Sequence, residues 1–412
     1  MRTLVIADDY PWPVTSGSRI RLEIVLRGLG ACGATDLFSI LPSDRADIGP
    51  PPDVSGLARV ATVGFDARGG SGWTRVVRAF RRSTPYGLSI GDGPEVQRVL
   101  TRFATGNYDL VWLFGIRPWV QVGRYLAAPT LLDLYDLNDR KIAARERLRP
   151  DVEPRGSGRL RQAAGRVVAT EEVRRWRMLQ RRAARQSDMT VVCSALDAGR
   201  AVAIGLPRVD VVPNGYPDVA EPLGRRSVGT PPTVLFLGTL RYPPNADASR
   251  FLVDDVVPIL ERLVPGVQVR LVGRAAPALS NLDRPPGVSL VGPVDDVSGE
   301  LARADLVVVP LRFASGTRLK ILEAFAHRIP VVSTAIGAEG LGAEDGVHLL
   351  VADSAPDLAT ACARLLEDEE LRHSLTDNAH RHFLANFRSD VIERDVARVA
   401  RAAAGPTTAP DS

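Results

Sequence analysis

The stretch Phe313-Ala314-Ser315-Gly316-Thr317-Arg318-Leu319-Lys320-Ile321-Leu322-Glu323-Ala324-Phe325-Ala326-His327 sets two cations and a carboxylate close together. It follows Leu306–Val309, an apolar run that reads as a buried strand. A small-residue turn then opens a helix whose apolar side is Leu319, Leu322, Phe325 and Ala326. Gly316, Lys320, Glu323 and His327 fall on another side, at i, i+4, i+7 and i+11. The start of such a helix offers amides without intrahelical partners and the positive end of the dipole. Arg318 and Lys320 oppose that dipole unless an anion binds there, and a diphosphate would supply the missing charge. Glu323 would lie about 10 Å beyond Gly316 at ~1.5 Å rise per residue. A carboxylate at that reach suits a ribose diol. The same residues also describe an ordinary core-facing helix with a surface Lys320–Glu323 pair, worth little.

Other chemistry-bearing residues sit at strand ends in the first half. The run Leu4–Ala7 leads through Asp8-Asp9 to Ser16-Gly17-Ser18, where a glycine-bearing turn opens a helix. Backbone amides near Gly17 could hold an anion, and Ser16 or Ser18 could equally cap an ordinary helix. Asp133 and Asp136 close the run Thr130–Leu134, where they would orient an acceptor or sugar hydroxyl, or cap the strand end. Gly28-Leu29-Gly30-Ala31-Cys32-Gly33 spells a dinucleotide fingerprint in the wrong place. It follows a helical pattern and precedes a strand, so it reads as a helix end and turn.

These residues must be positioned by alternating strands and helices. Short apolar, β-branched runs recur between helix-length segments, which predicts two doubly wound parallel α/β sheets. In the first half the strands are Leu4–Ala7, Leu37–Leu41, Val60–Phe65, Leu110–Phe114, Thr130–Leu134, Met189–Cys193 and Val209–Val212. The second half gives Val234–Leu237, Val269–Val272, Ser289–Val291, Leu306–Val309, Val331–Ser333 and His348–Val351. Asn214-Gly215-Tyr216-Pro217 is a strong turn signal, and Pro- and Gly-rich sequence follows to Pro232. The boundary is set there: one Rossmann-like domain over 1–214, a second over 215–387, and a terminal helix near 388–403 that can return to the first. Residues 405–412 read as a disordered tail. A cleft between two such domains is the place expected for ligands.

Composition narrows the class. At 412 residues, with 45% hydrophobic and 24% charged, the chain can bury two cores. No apolar run approaches the roughly 18–20 residues of a membrane span, and the start lacks a leader pattern, so a cytoplasmic protein is expected. Three scattered cysteines without a CxxC pair argue against a disulfide framework or structural zinc. Nearly all positive charge is arginine; Lys141 and Lys320 are the only lysines. All five histidines fall between His327 and His382, which excludes a histidine mechanism from the first half. The arginine-rich stretch Arg155 to Arg185, with Trp176 and Met178, fits contact with the inner face of an anionic membrane, and fits a solvated helix face as well. No stacking motif accompanies that charge, so nucleic acid is not expected.

The stretch from Ala314 to Leu341 resembles the C-terminal signature of GT4-like (group 1) glycosyltransferases of the GT-B fold. Val211-Val212-Pro213-Asn214-Gly215 is similar to the family's domain-junction block. So are Leu235-Phe236-Leu237-Gly238 with Pro244-Asn245-Ala246-Asp247, Val291-Gly292-Pro293-Val294-Asp295-Asp296-Val297, and the strand from Leu131 to Asp136. The resemblance implies a nucleotide-diphosphate sugar held by the C-terminal domain and an acceptor held by the N-terminal one. That acceptor is a glycan, a lipid-linked sugar or a small molecule. Glu323 would hold the ribose. Arg318, Lys320, Arg241 and the amides at Gly316 and Thr317 would neutralise the diphosphate, and Gly17 would approach it. Ser315 stands where the family's first glutamate falls. The resemblance also implies retention of configuration, with no metal and no cofactor beyond the donor. Rival readings are a nucleotide-sugar epimerase, a PLP-dependent phosphorylase using Lys320, and a non-catalytic sugar-nucleotide-binding partner.

Overall fold

A computed structural model describes residues 1–43, 48–65, 84–86, 88, 93–123, 127–147, 157–221, 228, 231–294, 296–314, 316 and 318–405. The chain divides into two compact units, one of residues 1–215 with the segment from Ser389 onward, the other Tyr216–Arg388.

The first unit is built on a seven-stranded sheet. Its strands are β1 (Thr3–Ala7), β2 (Thr35–Pro42), β3 (Leu57–Phe65), β4 (Leu110–Phe114), β5 (Thr130–Asp133), β6 (Met189–Val192) and β7 (Val209–Val211). They lie in the order β3-β2-β1-β4-β5-β6-β7, and every pairing is parallel. β1 and β4 are buried along their whole length, as strands covered on both faces must be. The second unit repeats this plan with β8 (Thr233–Leu237), β9 (Gln268–Val272), β10 (Val288–Gly292), β11 (Leu306–Val309), β12 (Val331–Ser333) and β13 (Leu350–Val351). Their order is β10-β9-β8-β11-β12-β13, again all parallel. The doubly wound fold read from the alternation of apolar runs is the fold observed.

The spurious fingerprint has a packing explanation. The helix Gly17–Gly30 lies against the helix Ser389–Ala404, which belongs to the first unit. A Cβ on Gly28 would stand 2.7 Å from the Glu393 carbonyl oxygen and 2.8 Å from Val396 Cβ. One on Gly30 would meet the Ser55 carbonyl oxygen at 2.1 Å, and Gly33, at φ 142°, abuts Met1. Each glycine permits a close backbone approach. The helix Ser389–Ala404 buries Ile392, Val396, Val399 and Ala400 in the same cluster as Leu22, Val25 and Leu29.

Among the described residues no helix is long and apolar enough to cross a membrane. The arginine-rich segment forms the helix Ser157–Arg185. Trp176 is buried in the first core, while Val167, Val168 and Met178 are exposed. Arg155 lies outside the described residues, as does the tail beyond Gly405.

Candidate functional site

In a doubly wound sheet the chain leaves the two central strands in opposite directions, and a crevice opens at their carboxyl ends. In the second unit those strands are β8 and β11. β8 runs into Gly238, which has φ 143° and donates its amide to the Val272 carbonyl at 3.0 Å. β11 runs into the loop that carries Arg312, Gly316 and Arg318, and then into the helix Leu319–Ala326.

Lys320 arrives at this crevice from the first turn of that helix. Its Nζ donates to Asn245 Oδ1 at 2.9 Å and lies 4.3 Å from the centre of the Phe236 ring. Asn245 Nδ2 donates to the Thr239 carbonyl at 3.0 Å, which fixes the amide with its oxygen toward the lysine. A Cβ on Gly238 would stand 3.0 Å from Lys320 Nζ and 2.9 Å from Asn245 Nδ2, so only glycine leaves the ammonium its place. Burial pulls the Lys320 pKa down to about 7; Arg318 adds to the shift and Glu323 opposes it. A desolvated ammonium whose nearest charged neighbours include another cation gains from an arriving anion.

Arg318 is buried, and its Nη2 donates to the Ile336 carbonyl at 3.0 Å. Its φ of −96° and ψ of 93° are extended, so the helix begins only at Leu319. This corrects the helical register expected from Gly316. That residue sits in the preceding loop at φ 71°, and His327 is the C-cap residue; Lys320 and Glu323 remain on the helix. Ser315 and Thr317 lie outside the described residues. The loop is pinned by Arg312, whose Nε and Nη2 reach Asp247 at 2.9 and 2.6 Å. Arg241 is exposed. Its amide donates to the Arg274 carbonyl at 3.0 Å, which brings a second arginine beside it.

Glu323, one turn beyond Lys320, accepts a hydrogen bond from the Tyr216 hydroxyl at 2.7 Å. Burial raises its carboxyl above the usual range, against the Tyr216 hydrogen bond and Lys320. Asp296, itself held low by the Ser298 amide, adds to the rise.

The first unit presents its own crevice at β1 and β4. Asp8 follows β1; its Oδ1 accepts from the Tyr135 hydroxyl at 3.2 Å and its Oδ2 from Arg117 at 3.3 Å. Gly115, at φ 92°, follows β4, and a Cβ there would stand 3.1 Å from the carboxylate. Burial raises the Asp8 pKa to about 6, Asp9 adding and Arg117 opposing. Nothing in the sequence separates Asp8 from a helix-start acid; its partners do, the Tyr135 hydroxyl and Arg117.

Asp133 occupies a different place. It has no exposed surface and takes both arms of Arg21, Nε at 3.1 Å and Nη2 at 2.8 Å. Arg21 Nη1 also reaches the Val212 and Pro213 carbonyls and Asn214 Oδ1, at 2.9, 3.2 and 2.9 Å. An acceptor hydroxyl would have to displace Arg21 to touch Asp133. Asp136 is partly exposed and pairs with Lys141 at 2.7 Å. Gly17 is the first residue of its helix after Ser16, which caps with no side-chain bond; Ser18 Oγ instead donates to Asp9 at 2.6 Å. Among the described residues no group of three or more His, Cys, Asp or Glu could hold a metal.

Residues 231–368 match the family model of glycosyl transferases group 1. An exopolysaccharide phosphotransferase of Streptomyces coelicolor is 30% identical over 199 residues, 45% of this chain and 20% of that protein. The match thus spans about a fifth of that relative's length. Sucrose-phosphate synthase from Thermosynechococcus elongatus superposes with a TM-score of 0.70 at 16% identity, covering 98% of this chain and 99% of that one. HepE of Anabaena, in complex with UDP and glucose, gives 0.64 at 15% identity over 96% and 98% of the two chains. Residues 231–368 are thus similar to the group 1 glycosyl transferases, and the chain has the GT-B fold of the solved structures it superposes on.

Proposed function

We propose that the chain transfers a sugar from a nucleoside-diphosphate sugar to a hydroxyl of a glycan or glycan-lipid acceptor, with retention of configuration and without a metal. The observation that carries this is the Lys320 ammonium, held by Asn245 and cleared by Gly238 at the crevice of the unit that contains the family match. The diphosphate sits against Lys320, Arg318 and the amides of Gly316 and Leu319, with Arg241 at its edge. Ser315 and Thr317, adjacent in sequence, are proposed for the same anion. Glu323 takes the ribose.

When the glycosidic bond of the donor breaks, negative charge grows on the diphosphate. Fixed cations at a partly dry site stabilise that charge more in the transition state than in the ground state. An anion beside Lys320 opposes the burial that lowers its pKa and so keeps the ammonium charged. On the acceptor side, Asp8, Tyr135 and Arg117 form the polar group suited to a hydroxyl, with Asp136 beside them in the chain order. Asp133 holds the segment 212–214 through Arg21. A glycan acceptor is supported by the relative named for exopolysaccharide chemistry, and a nucleotide-sugar donor by HepE, which was solved with UDP and glucose.

The test is incubation with UDP-, GDP-, ADP-, CDP- and dTDP-sugars and a lipid-linked glycan fraction, followed by analysis of the nucleotide products. Acceptor-dependent release of nucleoside diphosphate is expected. Nucleoside monophosphate would indicate sugar-phosphate transfer instead, and an isomerised donor would indicate epimerisation. A donor that binds and stays intact would mark a non-catalytic partner.

A further inference from the structure

Tyr216 begins the second unit, immediately after the Asn214-Gly215 turn. Its backbone is tied down: its amide donates to the Phe387 carbonyl at 2.9 Å, and it bridges Arg388. Its ring packs on the core of the second unit. Its hydroxyl donates to Glu323 Oε1 at 2.7 Å. A core-facing tyrosine needs a partner for its hydroxyl. Here that partner is Glu323, and the bond occupies one of its two oxygens.

Two physical consequences follow. First, the bond fixes the rotation of the Glu323 carboxylate, so that Oε2 faces a single direction. Second, it favours the charged form of a carboxyl that burial pushes toward the neutral one. Lys320 helps in the same sense, while Asp296 works against it. His327 and Asp296 are the other titratable groups nearby; burial lowers the His327 pKa, opposed by Asp296.

Resting on the assignment of Glu323 to the ribose, we infer that Tyr216 is a positioning residue that aims Glu323 at the ribose hydroxyls. It thereby makes the site select ribonucleoside over 2′-deoxyribonucleoside diphosphates. A site built to bond a substrate hydroxyl rejects the analogue lacking it, because its own buried acceptor is then left without a partner. The donor class is therefore a sugar on a ribonucleotide, and a thymidine-diphosphate sugar is disfavoured.

The experiment measures dissociation constants of four matched pairs on the full chain: UDP, GDP, ADP and CDP, each against its 2′-deoxy counterpart. Proteins are the wild type, Tyr216→Phe, Glu323→Gln and the double variant. For the base that binds, the wild type should prefer the ribonucleotide by about 10- to 100-fold, the range of one hydrogen bond to a charged group. In Tyr216→Phe the ribonucleotide weakens by about tenfold while the deoxy form changes little, so the preference collapses. In the Glu323→Gln background the tyrosine change has much less further effect, the signature of two residues acting as one.

Equal weakening of both nucleotides in Tyr216→Phe would reduce the tyrosine to a packing residue and overturn the inference. So would a wild type without ribose preference, or full independence of the two substitutions. If no nucleoside diphosphate binds the wild type at all, the donor site itself fails, and the inference with it. Binding that depends on Lys320 but not on Tyr216 leaves the donor site standing and removes this inference alone.

Discussion

Asp8 shows how a single carboxyl reports on function through stability. Its pKa is raised to about 6 by burial at the end of β1. The folded state therefore holds the proton more tightly than the unfolded chain does. The stability this provides is present at low pH and is lost as pH rises through about 6. At neutral pH the ionised group works against folding, and Arg117, partly solvent-exposed, offsets only part of that. Asp8→Asn should raise the melting temperature at pH 7.5, by the equivalent of about 1–3 kcal/mol, and give little gain near pH 4. Thermal unfolding at the two pH values checks this. The same variant should lose transfer activity, since a buried destabilising acid at a sheet crevice is kept for what it does. The sequence could not show this, because Asp8 and Asp9 look alike there. Asp9 is taken by Ser18 and the Tyr10 amide, while Asp8 meets a phenol and a partly exposed arginine.

At the scale of elements, the strands are legible because they are short apolar runs, with β1, β4, β8 and β11 buried along their whole length, and all thirteen appear within a few residues of their apolar cores. The helix starts were less legible. The helix that carries Lys320 begins at Leu319 because Gly316 is left-handed and Arg318 extended, choices of backbone conformation that side-chain periodicity does not encode. Lys320 and Glu323 stand out as candidates by their spacing. Asn245, Arg312 and Tyr216 were not singled out, because each matters through a contact distant in sequence: Asn245 to Lys320, Arg312 to Asp247, Tyr216 to Glu323. The sequence offers Asp133 either to orient an acceptor or sugar hydroxyl or to cap its strand end. Its partner Arg21 lies 112 residues away, and only the folded sheet brings them together. Gly238 joins these threads. With φ 143° and two polar nitrogens within 3.0 Å of a would-be Cβ, it admits no side chain without moving Lys320. Gly238→Ala should weaken nucleoside-diphosphate binding by at least about tenfold, the effect of one displaced charged hydrogen bond. Helical content by circular dichroism should stay unchanged, since the turn lies outside every helix.

At the scale of the whole chain, two doubly wound units each carry a crevice with its own chemistry. The second is cationic at Arg318 and Lys320 with a carboxylate one turn on; the first centres on a buried acid. The central claim is that the second unit holds the nucleoside diphosphate of a sugar donor. The most direct test is thermal unfolding of the wild type and Glu323→Ala with UDP, GDP, CDP, ADP and dTDP. One ribonucleoside diphosphate should stabilise the wild type by about 2.7 kcal/mol at roughly 100 times its dissociation constant, and Glu323→Ala should lose most of that gain. If none of the five stabilises the wild type, or the gain survives intact in Glu323→Ala, the donor site is not where Lys320 and Glu323 place it.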